Sequence, residues 1–400
     1  MKESKLTLDF DQKSLIIPDD QIKQLPKVEK LVEIDLSDTK IDSPDAYRFA
    51  IDYHKLNAIT KYPRYPLPVI DDLITNIPHT GTMSTLDLKS GYFQLAISPK
   101  NIKKTTFITR NDTFAFLRMP SGLSGAAPNF QKAVDIILKP VIERFLMVYM
   151  DEVIITSPSF NEHTYHLNQV FTLLRGTGLT LNKDKCQFAR DKLKYLGLII
   201  SKEEIETDNS KASAYTEMEP LKNNREVSKF LGMTKWYQKF IPHYADICEP
   251  LYRLKKKGAK FNWSTEAQDA FNKVKRALTE APVFQLQNFQ EQFNLFTMLL
   301  EFGIGGVMNR NHRPIAFASR TLIKVERKYT VTEHECLVVI WTLNKFKTYF
   351  GSLPVEVITD HAALTKLTNG KNLSSRMIRW TLKLSEFSIE WTSNLGSKTL

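Results

Sequence analysis

Short runs rich in β-branched and aromatic residues alternate with stretches of helical spacing through the first half of the chain. The runs Phe93 to Ile97, Thr105 to Thr109, Met147 to Thr156 and Leu193 to Ile200 predict strands, and the stretches near 127–145 and 160–175 predict helices. Before them, the proline-rich segment from Tyr62 to Pro68 must be extended, and Val69 to Ile74 can open a helix. From 224 to 276 the spacing turns helical, with apolar positions at 227, 230 and 231 behind an N-cap placed at Asn224. From 292 onward strands return: Phe293 to Met298, Gly303 to Met308 and Pro314 to Ala318. A helix at 333–350 follows, its start read as a capping box of Thr332 and Glu335, and then a strand at 354–359. The pattern is α+β, with boundaries near 215 and 290.

Composition narrows the class. The chain has 400 residues, 42% of them apolar, which is enough to bury cores in two or three domains. No stretch reaches the roughly 18 uninterrupted apolar residues of a membrane span, and the opening residues lack the apolar core of a signal peptide, so a soluble intracellular protein with no membrane partner is expected. Three widely spaced cysteines, Cys186, Cys248 and Cys336, fit neither a disulfide framework nor a cysteine-based zinc site. Lys and Arg number 55 against 44 Asp and Glu, giving a net charge of +11. The excess is local: residues 1–46 carry seven basic and eleven acidic side chains, whereas residues 222–280 carry thirteen basic and six acidic. Within that basic stretch Lys229, Lys235 and Lys239 interleave with Trp236 and Tyr237, and Arg253, Lys255, Lys256, Lys257 and Lys260 follow. Such a one-signed cluster suits phosphate contacts along a duplex, and a solvated charged face is the alternative.

Two sets of acids carry candidate chemistry. In Phe145 to Thr156 an apolar run is interrupted at its middle by Asp151 and Glu152, which reads as a hairpin with both carboxylates at its tip, or else as an ordinary polar turn. In Ser84 to Tyr92, Asp87 lies between leucines at the end of a strand, where an unpaired charge is costly. A lysine, a backbone cap, or a divalent cation shared with Asp151 and Glu152 would each satisfy it. Two such ions would serve phosphoryl transfer.

These motifs stand in a longer ordered series. Tyr47 to Asn57, Arg64 to Pro68, Leu86 to Tyr92, Met119 to Leu123, Phe130-Gln131, Tyr149 to Glu152, Lys194 to Gly197 and Phe230 to Gly232 together resemble the reverse transcriptases of gypsy-type LTR retrotransposons, over roughly residues 45–395. The resemblance implies a right-hand polymerase of fingers, palm and thumb followed by a ribonuclease H-like α/β domain. The corresponding domains are an N-terminal extension at 1–46, fingers and palm at 47–215, thumb and connecting helices at 216–289, and an incomplete ribonuclease H-like domain at 290–400. It implies Asp87, Asp151 and Glu152 as catalytic ligands of two Mg²⁺ ions, Arg48, Tyr92 and Met150 at the incoming nucleotide, and the basic middle on nucleic acid. Arg48 would fork onto the triphosphate, and Tyr92 would exclude a 2′-hydroxyl. The partners implied are an RNA or DNA template with its primer and deoxynucleoside triphosphates, in the cytoplasm, a retroelement particle or the nucleus.

Departures from that family's pattern accompany the resemblance. Glu152 stands where a second aspartate is usual, Ser121 replaces an aromatic residue, and the proline of Gly125 to Asn129 is displaced by one place. In the last domain the implied metal-binding acids are Glu335 and Asp360, but Met298 occupies the first aspartate's place, and the sequence ends at Leu400 before the segment that carries the last one. Weakened polymerisation and an inactive ribonuclease H remnant are therefore expected, and a remnant that only binds nucleic acid is the alternative.

Overall fold

The computed structural model describes residues 7–9, 14–16, 51–61, 65–78, 81–110, 112–202, 204–208, 215, 217–256, 261–280, 284–285, 292–311, 313–359 and 375–393. The chain divides into two compact units, Met1–Tyr195 and Leu196–Leu400.

The first unit is organised by an antiparallel sheet of strands β1 (Thr82–Asp87), β2 (Leu146–Tyr149), β3 (Glu152–Ser157) and β4 (Gln187–Arg190), in the order β2-β3-β1-β4. Helices α1 (Ala126–Leu138) and α2 (Phe160–Thr177) pack on it and on one another. Leu86, Phe130, Val134, Leu138, Val153, Ile155 and Val170 form the shared core, each 1% exposed or less. α2 starts where the Ser159 side chain accepts from the Glu162 amide, and it stops at Gly178, whose φ of +72° a residue with a Cβ adopts only under strain. A polar contact is embedded in this packing: the imidazole of fully buried His163 lies 2.6 Å from Ser84 Oγ on β1 and 2.8 Å from Ser157 Oγ on β3. Ahead of the sheet, short helices span His54–Ile59 and Ile70–Thr75, and the short strand Ser14–Ile16 pairs with both Thr7–Asp9 and Ala96–Ile97.

The second unit begins with the hairpin of Leu198–Ser201 and Glu204–Thr207, followed by helices α3 (Asn224–Thr234) and α4 (Thr265–Thr279). Their buried faces meet at Phe230 and Phe271, whose rings are 4.9 Å apart. Next comes a five-stranded sheet of β5 (Phe293–Leu299), β6 (Gly303–Arg310), β7 (Arg313–Thr321), β8 (Val355–Thr359) and β9 (Ile389–Ser393), in the order β7-β6-β5-β8-β9. β5 to β7 run antiparallel, and β8 lies parallel to both β5 and β9. Helix α5 (Val331–Phe350) covers the sheet so closely that a Cβ on Gly306 would come within 2.7 Å of Thr342 Cγ2. Helix α6 (Ser375–Leu384) packs on α5.

Four local expectations are corrected. The cap of α3 is Asn223, not Asn224, because Asn223 has extended backbone angles and its side chain accepts from the Glu226 amide. The capping box of α5 is Thr330 with Glu333, two residues earlier than Thr332 with Glu335, which leaves Glu335 inside the helix and buried. α1 ends at Leu138, because the chain must turn back into β2 at Leu146. Phe93 to Ile97 is mostly not a strand: Gly91–Gln94 forms a 3₁₀ turn after left-handed Ser90, and only Ala96–Ile97 is extended. Among the described residues no helix is long and apolar enough to cross a membrane.

Candidate active site

Consecutive positions of β1, β2 and β3 are buried on both faces of the sheet, and the three acids fall at the one end where burial gives way to partial exposure. β1 ends at Asp87, β3 begins at Glu152, and the two residues stand opposite one another in the antiparallel register. Asp151 lies in the two-residue turn between β2 and β3. The backbone stitches this end together: the Leu88 amide donates to the Asp151 carbonyl at 2.9 Å, and the Asn182 amide donates to the Asp87 carbonyl at 2.8 Å. Gly91 closes over the turn, since a Cβ there would sit 3.4 Å from the Asp151 Cβ and 3.3 Å from Phe130 Cζ.

Asp87 is half-buried, with its side chain 20% exposed. Burial pushes its carboxyl group up, the like charge of Asp151 adds to the rise, and Lys185, whose ammonium is 3.8 Å from Asp87 Oδ2, opposes it. Of the partners foreseen for Asp87, the lysine is therefore present. Asp151 is exposed and Glu152 is half-buried. The Glu152 charge reaches the buried phenol of Tyr195 and adds to the upward push that burial already exerts there. Among the described residues no group of three His, Cys, Asp or Glu side chains is gathered as a metal cage. The donor chemistry still fits Mg²⁺, which is usually held by one or two carboxylates and completed by water and substrate phosphates. Asp87 and Asp151 are such a pair, and the charge of Asp151 disfavours an unpaired Asp87 carboxylate.

Two left-handed residues border the acids, Ser90 at φ +52° and Met150 at φ +57°. Non-glycine residues held there cluster at functional sites because the surroundings must maintain them. Met150 is maintained by Gln131, whose Oε1 accepts from the Met150 amide at 2.6 Å. Tyr92 follows in the 3₁₀ turn, half-buried and edge-on to Phe130 at 5.5 Å. Its phenol is pushed up by burial, then by the charge of Asp151.

Other candidates are more dispersed. Lys229, Lys235, Lys255 and Lys256 are exposed in the second unit, and Lys239 lies 5.4 Å from the Trp236 ring centre. Glu335 is 8% exposed within α5, and Met298 on β5 pairs with Gly305. Arg48, Lys257 and Asp360 lie outside the described residues. Roles for Gln131, Lys185 and Gly91 were not foreseen. Gln131 sits in a quoted motif, but nothing in its local pattern says which backbone group it meets.

Residues 37–200 match the family model described as reverse transcriptase (RNA-dependent DNA polymerase), and residues 288–387 match that of the RNase H-like domain found in reverse transcriptase. The Pol polyprotein of transposon 297 from Drosophila melanogaster is 35% identical over 350 residues, covering 86% of this chain and 33% of that protein. The chain is a homologue of LTR-retrotransposon Pol polyproteins. The Pol polyprotein of transposon gypsy, also from Drosophila melanogaster, is 32% identical over 346 residues, covering 83% of this chain and 33% of that protein. The Tf2-3 polyprotein of Schizosaccharomyces pombe is 30% identical over 359 residues, covering 88% of this chain and 27% of that protein. The chain thus spans about a third of the length of the Pol relatives it matches. In fold it is similar to the foamy viral protease-reverse transcriptase solved with double-stranded DNA, at a TM-score of 0.77 and 22% identity, covering 90% of this chain and 77% of that one. The same viral enzyme solved with an RNA/DNA hybrid aligns at a TM-score of 0.73 and 22% identity, covering 90% of this chain and 50% of that one. The mixed helix-and-sheet architecture with a ribonuclease H-like end is thereby the retroviral reverse transcriptase fold.

Proposed function

We propose that this retroelement Pol segment is an RNA-directed DNA polymerase that extends a primer, at a reduced rate, and that its ribonuclease H-like domain does not cleave RNA. The observation that carries the polymerase reading is the meeting of Asp87 and Asp151 at the end of β1 and the β2–β3 turn, within the stretch that matches the reverse transcriptase family.

Asp87 and Asp151 would hold the divalent ions, with Glu152 beside them as a third acid. Two bound Mg²⁺ ions supply an activated primer hydroxyl and neutralise charge on the leaving phosphates. The chain's own groups do the positioning. Through the ions they would hold, Asp87 and Asp151 would fix where a nucleotide's phosphates sit, so that the primer 3′-oxygen, its proton passing to solvent, would bond to the α-phosphorus as the α–β anhydride breaks and pyrophosphate leaves. Tyr92, braced against Phe130, would lie under the sugar and reject a ribose 2′-hydroxyl, with Met150 beside it and Arg48 on the triphosphate. Lys229, Lys235, Lys239, Lys255, Lys256 and Lys257 would track the template–primer backbone.

The reduced rate is read from Glu152 and Ser121, which depart from the family's pattern. Those departures also favour a second reading, a polypeptide that binds template and primer without catalysis. The loss of ribonuclease H activity is read from Met298, a thioether where a first carboxylate would be needed beside Glu335 and Asp360, which leaves the set short of an oxygen ligand for two ions. Primer extension on an RNA template with Mg²⁺ tests both readings. Extension by the wild-type chain that disappears in Asp87→Asn supports the polymerase. Binding without extension overturns it in favour of the second reading. Mg²⁺-dependent cleavage of the RNA strand of a hybrid, lost in Asp360→Asn, would refute the inactive ribonuclease H domain.

A further inference from the structure

A continuous polar relay runs from the extended segment at Tyr65, through α1, to the turn that carries Asp151. Tyr65 donates its hydroxyl to Asp135 Oδ2 at 2.5 Å. Asp135 Oδ1 accepts from Gln131 Nε2 at 2.8 Å, one helical turn earlier on α1. Gln131 Oε1 accepts from the Met150 amide at 2.6 Å, and its Nε2 also lies 3.4 Å from the Val148 carbonyl. Gln131 is fully buried.

The chemistry of each link dictates the next. A carboxylate can only accept, so both neighbours of Asp135 must donate. The Gln131 amide therefore turns its nitrogen to Asp135, and its oxygen is left facing Met150. Met150 presents a donor, which only that orientation satisfies. Were the amide reversed, two N–H groups would face each other at the turn, and a buried donor would lose its partner. The i, i+4 spacing of Gln131 and Asp135 puts the two side chains on one face of α1, so the relay needs no rearrangement of the helix.

We infer that Tyr65 and Asp135 are positioning residues for the catalytic turn, acting through Gln131 to hold Met150 left-handed and so to aim Asp151 at Asp87. The inference rests on the polymerase reading for its consequence, but not for its geometry. Met150 has φ +57°, a conformation that costs a non-glycine residue about 1–3 kcal/mol unless its surroundings impose it. The Gln131 oxygen is the imposed partner, and Asp135 is what keeps that oxygen in place. Tyr65 belongs to the proline-constrained stretch ahead of the helix Ile70–Thr75, so the relay makes the catalytic turn sensitive to a segment distant in sequence.

The test uses the full chain labelled with ¹⁵N-methionine, with amide exchange followed at Met150 and, as a reference, at Met308. In Asp135→Ala the Met150 amide should exchange about fivefold to tenfold faster while Met308 is unchanged, the size expected when one hydrogen bond of ordinary net strength is lost. In Asp135→Asn, whose side-chain oxygen still accepts from Gln131, Met150 should stay protected to within about threefold. Tyr65→Phe, which removes only the hydroxyl, should raise exchange at Met150 in the same direction and serves if Asp135→Ala unfolds. Primer extension should follow suit: kcat falls by about tenfold to a hundredfold in Asp135→Ala with nucleotide KM held, as a misaimed ligand predicts. Unchanged Met150 exchange in both Asp135→Ala and Tyr65→Phe overturns the relay. If the wild-type chain extends no primer, the polymerase reading falls, and the Met150 exchange still decides the relay.

Discussion

Asp87 and Glu152 face each other across the β1–β3 ladder as a directly opposed pair. Opposed residues lie on one face of a sheet with their Cβ atoms about 4.5–5.5 Å apart, and two acids so placed repel unless a cation lies between them. Glutamate carries its carboxylate about 1.5 Å farther from the backbone than aspartate does. A ligand displaced by about 1 Å can lower a rate by about a hundredfold. Glu152→Asp should therefore raise single-nucleotide extension in Mg²⁺ by about tenfold or more. Equal rates for the two chains would show that the longer side chain costs nothing.

Gly91 stands where the 3₁₀ turn passes over the catalytic turn, with an added Cβ meeting Phe130 at 3.3 Å and Asp151 at 3.4 Å. Phe130 is fully buried and cannot swing away, so the strain falls on the turn. Gly91→Ala should lower stability by about 1–3 kcal/mol, the ordinary cost of overpacking, and lower extension by more than that loss accounts for. Denaturant midpoints and extension rates measured on the same preparation would separate the two effects, and wild-type extension in a normally folded variant would contradict the close approach.

His163 and His166 give the first unit a pH-dependent packing. Both imidazoles are held below their ordinary 6.5, chiefly by burial, with the charge of His166 adding to the effect on His163 and that of Arg144 to the effect on His166. Glu162 and a hydrogen bond donated by the imidazole to the Thr156 backbone oppose this at His166. Because the unfolded chain takes up these protons at higher pH than the folded one, stability is complete above about pH 6.5 and is lost progressively as pH falls below it. Denaturation between about pH 7.5 and pH 5.5 should show this loss, and His163→Gln should flatten it. An unaltered pH slope in that variant would assign the effect elsewhere.

Lys229 and Lys235 are exposed on α3 and the turn after it. If they touch phosphates, log affinity for a primer–template duplex should fall linearly with log salt, and each Lys→Ala change should reduce that slope by about one. Fluorescence anisotropy over a salt series measures it. Slopes that match the wild type would leave these lysines as a solvated face.

How far the sequence spoke can be seen residue by residue. It placed Asp87 at the end of a strand, Asp151 and Glu152 at the tip of the hairpin between β2 and β3, and the apolar face of α3 at 227, 230 and 231, because apolar runs, helical spacing and turn residues are local signals repeated over several positions. It misplaced both helix caps by one or two residues, at Asn223 and Thr330, because Asn223-Asn224 and Thr330-Val331-Thr332 offer near-equivalent candidates and backbone angles select between them. It read a strand through Phe93, where the turn at Gly91 is imposed by closure over Asp151.

By itself the sequence determined which residue types were available and in what order: paired acids in an apolar run, a lone acid between leucines, and a basic middle. Only the tertiary structure decided that Lys185 neighbours Asp87, that Gln131 grips Met150, and that Tyr65 reaches Asp135. Each of those contacts joins residues far apart along the chain, whose distance in space is set by how the sheet, α1 and the segments beside them pack. A hydrogen bond needs its two atoms within a fraction of an ångström of one arrangement, and local periodicity carries no such information.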